Sequence, residues 1–377
     1  MSKILPSLIA ALILAWLTQR TTNGRYGINK HQTNLNRFLF VLVVLVLAMP
    51  IALRRSYNDT GSYIFSFQQA DTLKVLLESD TLHILRNPAF NVYEALVRTY
   101  TDNYLIFFLF PAVFVQYSYL RFIRRHCPNF VVGVMIYLFL GTYTFAIAAM
   151  KQTLAMAILL FAVDALIDRK QIRFLLLVFI AFLFHTYAIA FLILPLFTVR
   201  PWTPRTFLLL LAVYLVMRNF NTVIEEFLEF ANESGKNISE EEVIGTAAIN
   251  PIRVAVYAVV PVFALIFNRY LFHGSHADRE HNLLINMSIL TVAIMSIGLV
   301  NAANMFARMG QYFEFGLICS LPWILERTFE TRSKRFMTAV ALGCFLGYFC
   351  YANLVQIYFD DHFSRYSLGF FLRSLIS

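Results

Sequence analysis

Residues 172–198 read IRFLLLVFIAFLFHTYAIAFLILPLFT. This run is long enough for one transmembrane helix, since about 20 apolar residues cross the hydrocarbon core of a bilayer. It is also interrupted at Phe184-His185-Thr186, where polar side chains divide it into two short spans. The topology of the whole chain depends on this choice, because one additional crossing reverses the side on which every later loop lies.

The composition indicates that lipid surrounds most of this chain. Hydrophobic residues make up 59% of its 377 residues and charged residues only 14%, whereas soluble domains carry about 25% charged residues. We therefore predict an all-α, polytopic integral membrane bundle, with a single transmembrane domain over residues 1–377. The apolar runs predict about 12 transmembrane helices, at 4–19, 38–53, 104–120, 130–148, 152–167, 172–184, 188–198, 206–217, 252–268, 282–301, 308–325 and 336–353.

Cysteine spacing and net charge restrict the classes of function. The four cysteines form no CxxC pair, and three of them lie in apolar runs, which argues against a disulfide framework or a structural zinc site. The net charge of +9 comes mostly from short loops between apolar runs, which membrane orientation explains better than nucleic-acid binding does. We predict no metal, no cofactor and no nucleic-acid partner.

The distribution of basic residues favours two crossings in 172–198. If the N-terminus faces outside and this run crosses twice, six consecutive inner loops all contain arginine or lysine, as the positive-inside rule requires. A single crossing would place the basic cluster at 327–335 outside. The favoured topology puts His185 near the outer surface and leaves two larger outer loops, 54–103 and 218–251. Within the second loop, residues 223–230 could form an amphipathic surface helix, but a solvated acidic loop is the favoured interpretation.

Several charged residues lie at the outer face, where topology does not explain them. Ionisable groups at membrane depth are costly, so each is a functional candidate. Because separate spans bring them to one face, we predict that they line a single pocket. The candidates are Arg54 and Arg55 after the second span, Lys151 and Gln152 at the start of the fifth, His185, and Arg308 at the start of the eleventh.

Each candidate also has a structural interpretation. The side chains of Arg54, Arg55 and Lys151 could extend to lipid headgroups. His185 could hydrogen-bond to the backbone, and nearby Asn301 and Asn304 could satisfy Arg308. Asp59 could simply pair with one of the two arginines or cap a helix in the loop.

The chemistry of these side chains is suited to a phosphorylated lipid. Several cations with few carboxylates match a phosphate or diphosphate. Fixed cations can stabilise a leaving diphosphate without a metal, and Asp59 or His185 could take the proton of an attacking hydroxyl group. An outward-facing site with these groups predicts a lipid-diphosphate substrate.

Four stretches of the chain carry a resemblance to a known family. They are Ala52-Leu53-Arg54-Arg55 with Asp59-Thr60-Gly61-Ser62-Tyr63 and Phe67, then MKQTLAMA at 150–157, AFLFHT at 181–186, and FARMGQYF at 306–313. Together, over residues 50 to 325, they resemble the EpsG/Wzy-type polysaccharide polymerases of bacterial envelopes. Two positions depart from that pattern. Lys151 stands where the family usually has arginine, so a bidentate fork is lost, and Gly61 follows Asp59 rather than preceding it.

The resemblance implies a GT-C-like fold and a membrane glycosyltransferase, or polymerase. Such an enzyme joins undecaprenyl-diphosphate-linked oligosaccharide repeat units at the outer face of the bacterial cytoplasmic membrane, toward the periplasm or exterior. Its expected partners are that lipid-linked oligosaccharide, membrane lipids, a flippase and chain-length regulator proteins. The implied roles are diphosphate binding and leaving-group stabilisation by Arg54, Arg55, Lys151 and Arg308, proton abstraction by Asp59 or His185, and positioning of sugar or phosphate by Gln152 and Tyr312.

Two other functions share some of these features. A flippase for lipid-linked oligosaccharides would need charges along the inner half of the bundle, where candidates such as Asp164 are sparse, and no inverted repeat is visible. A membrane O-acyltransferase acting on surface glycans would need a histidine accessible from the cytoplasm, whereas His185 is predicted outside.

Overall fold

The computed structural model describes residues 4–21, 33–78, 87–233, 249–272, 279–300 and 304–359, and within these ranges all regular elements are helices. This confirms the all-helical prediction. Parts of the two predicted outer loops, residues 79–86 and 234–248, lie outside the described residues, as does Asn301. Every predicted span overlaps a helix of the structure.

The chain divides into two compact units. The first comprises Met1–Phe161, Ile180–His185 and Ala339–Ser377, and the second comprises Ala162–Phe179 and Thr186–Thr338. The helices Met150–Ile167, Gln171–Phe184 and Thr331–Phe359 contribute residues to both units. The prediction of a single transmembrane domain stays a prediction.

The remaining helices belong to one unit each. Those of the first unit are Leu5–Arg20, Thr33–Ala52, Thr60–Gln69, Leu73–Glu78, Pro88–Tyr100, Tyr104–His126, Phe130–Phe139 and Thr142–Ala148. Those of the second unit are the 3₁₀-helix Thr186–Phe197 and the α-helices Pro204–Arg218, Phe220–Glu233, Pro251–Ile266, Asn268–Phe272, Arg279–Ile297, Asn304–Gln311 and Phe315–Thr328.

Several helices are long and apolar enough to cross a membrane, as expected for a membrane-embedded protein. Among the described residues there are five, or six if one bent pair of helices counts as a span. The five are Asn34–Ala52, Tyr104–His126, Met150–Ile167, Arg279–Ile297 and Thr331–Ala352. Further apolar helices are shorter, so the count of about twelve crossings stays a prediction.

Two predicted spans are broken rather than continuous. Residues 130–148 form two helices that bend by 56°, because Gly141 between them has a φ of +91°, a left-handed conformation that favours glycine. The span predicted at 308–325 is interrupted at 312–314 between two helices. There the backbone makes tight i to i+3 hydrogen bonds, such as the one from Glu314 N to Gln311 O.

The run at 172–198 contains two elements, as its polar interruption suggested. An α-helix ends at Phe184, where the N–H of His185 donates to the carbonyl of Ala181 at 2.9 Å. A 3₁₀-helix then extends from Thr186 to Phe197. The interruption at His185 is confirmed, whereas two crossings stay a prediction. The segment 223–230 lies within the helix Phe220–Glu233, so the favoured loop interpretation is wrong and the segment is helical.

One helix forms the centre of each unit's packing. In the first unit, Thr33–Ala52 packs against Leu5–Arg20 and Tyr104–His126. In the second unit, the largely buried helix Arg279–Ile297 packs against several others, namely Pro204–Arg218, Pro251–Ile266, Asn304–Gln311 and Phe315–Thr328.

Candidate functional site

Arg54 follows the end of the helix Thr33–Ala52 and is almost fully buried, with 1% of its surface exposed. Its Nη1 donates to the carbonyl of Ile51 at 3.2 Å, where a positive charge is favourable beside the C-terminal end of the helix dipole. Its guanidinium carbon lies 4.2 Å from the centre of the Phe108 ring. The side chain is therefore enclosed by protein.

The Arg54 guanidinium has donors that the described residues do not use. Its Nε and Nη2 are buried and have no hydrogen-bond partner within that part of the chain. Burial lowers the pKa of Arg54 to about 10, and electrostatic interactions with Tyr63 and Asp59 oppose this shift. The group is still protonated at neutral pH, so it offers a buried positive charge with open donors, a combination suited to an anion.

A strained turn places Asp59 near Arg54. Tyr57 and Asn58 both have positive φ values, 139° and 48°; the left-handed conformation is common for asparagine, but the value at Tyr57 is unfavourable for a bulky side chain. The Thr60 hydroxyl donates to the Tyr57 carbonyl at 2.6 Å, which stabilises the turn. Asp59 is half-buried at the start of the helix Thr60–Gln69 and interacts electrostatically with Arg54. Strain of this kind is often found where a functional group must be held in place.

Lys151 occupies the first turn of the helix Met150–Ile167. Its backbone N–H donates to the Tyr63 hydroxyl at 3.4 Å, and its Nζ lies 4.6 Å from the centre of the Phe90 ring. The N-terminal end of a helix dipole is positive, so a lysine there is unfavourable unless negative charge is nearby. Since Tyr63 also interacts with Arg54, the structure brings Arg54, Asp59 and Lys151 together around this tyrosine.

Glu94 supplies part of that negative charge, and the sequence analysis did not identify it. It lies on the buried face of the helix Pro88–Tyr100, with 5% of its surface exposed. Burial raises the pKa of Glu94. The hydrogen bond from Ser66 and the charge of Lys151 act in the opposite direction and lower it, but burial has the larger effect. A carboxylate one turn after Phe90, on the apolar face of an amphipathic helix, is the signal that could have found it.

The other residues predicted for this unit have varied environments. Arg55 is half-buried beside Arg54, and Gln152 is buried in the first turn of its helix. His185 is half-buried between the helix that ends at Phe184 and the 3₁₀-helix that begins at Thr186. The roles of these three residues stay predictions.

Arg308 and Tyr312 belong to the second unit. Arg308 is half-buried in the last turn of the helix Asn304–Gln311, and the buried Tyr312 follows that helix and interacts with Tyr187. The Asn304 side chain predicted to satisfy Arg308 lies outside the described residues.

A buried carboxylate follows Tyr312, and the sequence analysis did not identify it either. Glu314 has no exposed surface and accepts a hydrogen bond from the Tyr257 hydroxyl at 3.0 Å. The guanidinium carbon of Arg253 lies 5.7 Å from the centre of the Tyr257 ring. The bond from Tyr257 to Glu314 attaches the segment after Arg308 to the helix Pro251–Ile266.

We expect Tyr257→Phe to destabilise the protein by about 1–3 kcal/mol, because it removes a hydrogen-bond donor from a buried carboxylate. Thermal denaturation of the purified protein in detergent measures this effect. Tyr214→Phe is the matched control, since Tyr214 is 57% exposed and lies in the same unit. Equal midpoints for the two variants would show that the bond to Glu314 contributes nothing to stability.

The chain is similar to one known family over nearly its whole length. The model of the EpsG family matches residues 37–368. This range includes all of the second unit, most of the first, and all the predicted site residues. No curated protein and no solved structure gave a significant match.

Proposed function

Because the chain belongs to the EpsG family, whose members are polysaccharide polymerase-type membrane proteins, we propose that it is a glycosyltransferase that joins undecaprenyl-diphosphate-linked oligosaccharide repeat units. The reaction takes place at the outer face of the bacterial cytoplasmic membrane. It needs no metal, because fixed cations of the protein stabilise the leaving diphosphate.

The observation that carries this proposal is the environment of Arg54. Its buried guanidinium has two nitrogen atoms without a partner among the described residues, and phosphate oxygens would supply the missing acceptors. Lys151 interacts with the same tyrosine as Arg54 and adds a second positive charge at the start of a helix. A diphosphate carries the negative charge that this arrangement favours.

The proposed reaction is a displacement at the anomeric carbon of the donor. A hydroxyl oxygen of the acceptor glycan forms the new glycosidic bond, while the bond from the anomeric carbon to the diphosphate oxygen breaks and the diphosphate keeps the electron pair. Arg54, Arg55 and Lys151 stabilise the charge that develops on that oxygen. Asp59 or His185 takes the proton of the attacking hydroxyl, and Gln152 positions the substrate. The roles of Arg308 and Tyr312 remain those that the family resemblance implies.

Deletion of the gene tests this function. We expect the deletion strain to lose long surface polysaccharide and to accumulate single lipid-linked repeat units in the outer leaflet, because units continue to arrive but are not joined. Gel analysis of polysaccharide chain length and extraction of the lipid-linked units measure both effects, and a plasmid copy of the wild-type gene should restore the polymer.

Two outcomes would contradict the proposal. Full-length polymer in the deletion strain would exclude a polymerase. Loss of lipid-linked units from the outer leaflet, with accumulation inside, would instead identify a flippase.

A further inference from the structure

We propose that Glu94 is a positioning residue, which holds the Lys151 ammonium group at the place where the leaving diphosphate binds. This inference rests on the proposed function and adds to it a residue from the predicted outer loop. Glu94 acts through Lys151 and does not itself contact the substrate.

The first argument concerns the cost of burying Glu94. A carboxylate with 5% exposure is unfavourable unless it is paired. The Ser66 hydroxyl donates one hydrogen bond to it, and Lys151 is the basic residue with which it interacts. Its Oε1 is buried and has no hydrogen-bond partner in the described part of the chain. An apolar residue would pack there more favourably. A functional role therefore explains this carboxylate better than a contribution to the stability of the fold does.

The second argument concerns the position of Lys151. Phe90 and Glu94 are four residues apart on one helix, so their side chains lie on the same face. The ammonium group stands 4.6 Å from the centre of the Phe90 ring and interacts with the Glu94 charge. The Tyr63 hydroxyl accepts the backbone N–H of Lys151. One helix of the predicted outer loop therefore contacts the backbone of Lys151, while the Phe90 ring and the Glu94 charge of another act on its ammonium group.

The third argument concerns the helix that carries Glu94. The Tyr93 hydroxyl donates to the Phe107 carbonyl at 2.5 Å, which attaches Pro88–Tyr100 to Tyr104–His126. The rings of Tyr63 and Phe90 lie 6.0 Å apart, and those of Phe90 and Phe107 are also 6.0 Å apart. This aromatic packing holds the helix Pro88–Tyr100 in place. The Glu94 carboxylate therefore has a defined position from which its charge can orient the Lys151 ammonium group.

The geometry leaves Lys151 free to bind phosphate as well. An ammonium group has three N–H donors, and Glu94 acts on this one through its charge rather than through a hydrogen bond, so the donors are available to phosphate oxygens. Removal of the carboxylate should misplace those donors, and small errors in the position of a catalytic group reduce rates by one to two orders of magnitude.

A double-mutant cycle tests this proposal. The full-length protein is purified, reconstituted in vesicles and supplied with lipid-linked repeat units extracted from the deletion strain. We expect Glu94→Gln to reduce kcat/KM about tenfold or more and Lys151→Met to reduce it further. The double variant should have the same kcat/KM as Lys151→Met alone, because Glu94 affects the reaction only through Lys151. Glu94→Asp should retain part of the activity, and Glu78→Gln, an exposed glutamate of the same predicted outer loop, should retain all of it.

Thermal denaturation separates positioning from a structural role. Since burial raises the pKa of Glu94, this group favours folding at low pH, and its contribution is lost as the pH rises through the pKa of the folded state. At mildly alkaline pH, Glu94→Gln should therefore leave the midpoint unchanged or raise it, although activity falls.

Three results would overturn the inference. They are full activity of Glu94→Gln, effects of the two substitutions that multiply in the double variant, and loss of folded Glu94→Gln protein. Failure of the proposed function is a separate result, because it would appear as polymer in the deletion strain.

Discussion

We expect Arg54→Gln to reduce polymer formation by about 100-fold or more, while the amount of folded protein in the membrane stays the same. Removing one fixed donor that stabilises developing charge costs about 10²–10³ in rate in other enzymes. Arg54 supplies both a charge and two nitrogen atoms without a partner among the described residues, so its loss should be at least as costly.

Stability should not fall with activity in this variant. Burying a guanidinium is unfavourable. Among the described residues, its compensation consists of one hydrogen bond to Ile51, the Phe108 ring, and electrostatic interactions with Asp59 and Tyr63. Glutamine removes the charge and keeps a polar side chain with N–H donors. Arg54→Lys keeps the charge but not the planar fork, so we expect it to restore only a small part of the activity.

Chain length of the surface polysaccharide, measured in the deletion strain carrying each variant, tests this expectation. Immunodetection of the variant in membrane fractions shows whether it is folded and inserted. Arg218→Gln is the matched control, because Arg218 is an exposed arginine at the predicted outer face. A normal chain-length distribution with Arg54→Gln would remove Arg54 from the site and with it the main support for the diphosphate.

The sequence predicted those features that depend on local pattern. Apolar runs predicted the helices, because a helix in lipid satisfies its own backbone hydrogen bonds wherever a run is long enough. The polar interruption at His185 predicted the end of the helix at Phe184. Arg54 and Lys151 were found because a basic residue on the outer side contradicts the positive-inside pattern, and the structure places both beside Tyr63.

The features that escaped prediction depend on contacts between distant residues. A carboxylate on the apolar face of an amphipathic helix could have drawn attention to Glu94, but only the folded chain places it near Lys151. Glu314 is separated from its partner Tyr257 by more than 50 residues. The break at Gly141 depends on a backbone conformation that a glycine permits but does not require. In each case the partner or conformation is set by tertiary packing, which single-sequence patterns do not contain.

The close packing at Gly316 leads to the second large expected effect. A Cβ atom at this position would overlap the carbonyl oxygen of Leu284 and lie only 2.9 Å from the backbone nitrogen of Ser288. The helix Phe315–Thr328 therefore contacts the backbone of Arg279–Ile297 directly, as small residues allow in membrane helices. Any side chain must push these helices apart, and Arg279–Ile297 is the helix against which much of the second unit packs.

We accordingly expect Gly316→Ala to cost about 1–3 kcal/mol and to lower the thermal midpoint by several degrees, and Gly316→Val to yield no monodisperse protein after detergent extraction. Gly343→Ala is the control, because nothing lies within 4 Å of a Cβ built there and the residue is also helical. Since alanine is favoured over glycine in helices by up to about 1 kcal/mol, the control should be as stable as the wild type or more so, and the difference between the two variants isolates the steric cost. If Gly316→Ala matched Gly343→Ala in stability, the two helices would have to separate at little cost. The tight contact at Leu284 would then not be what holds the second unit together.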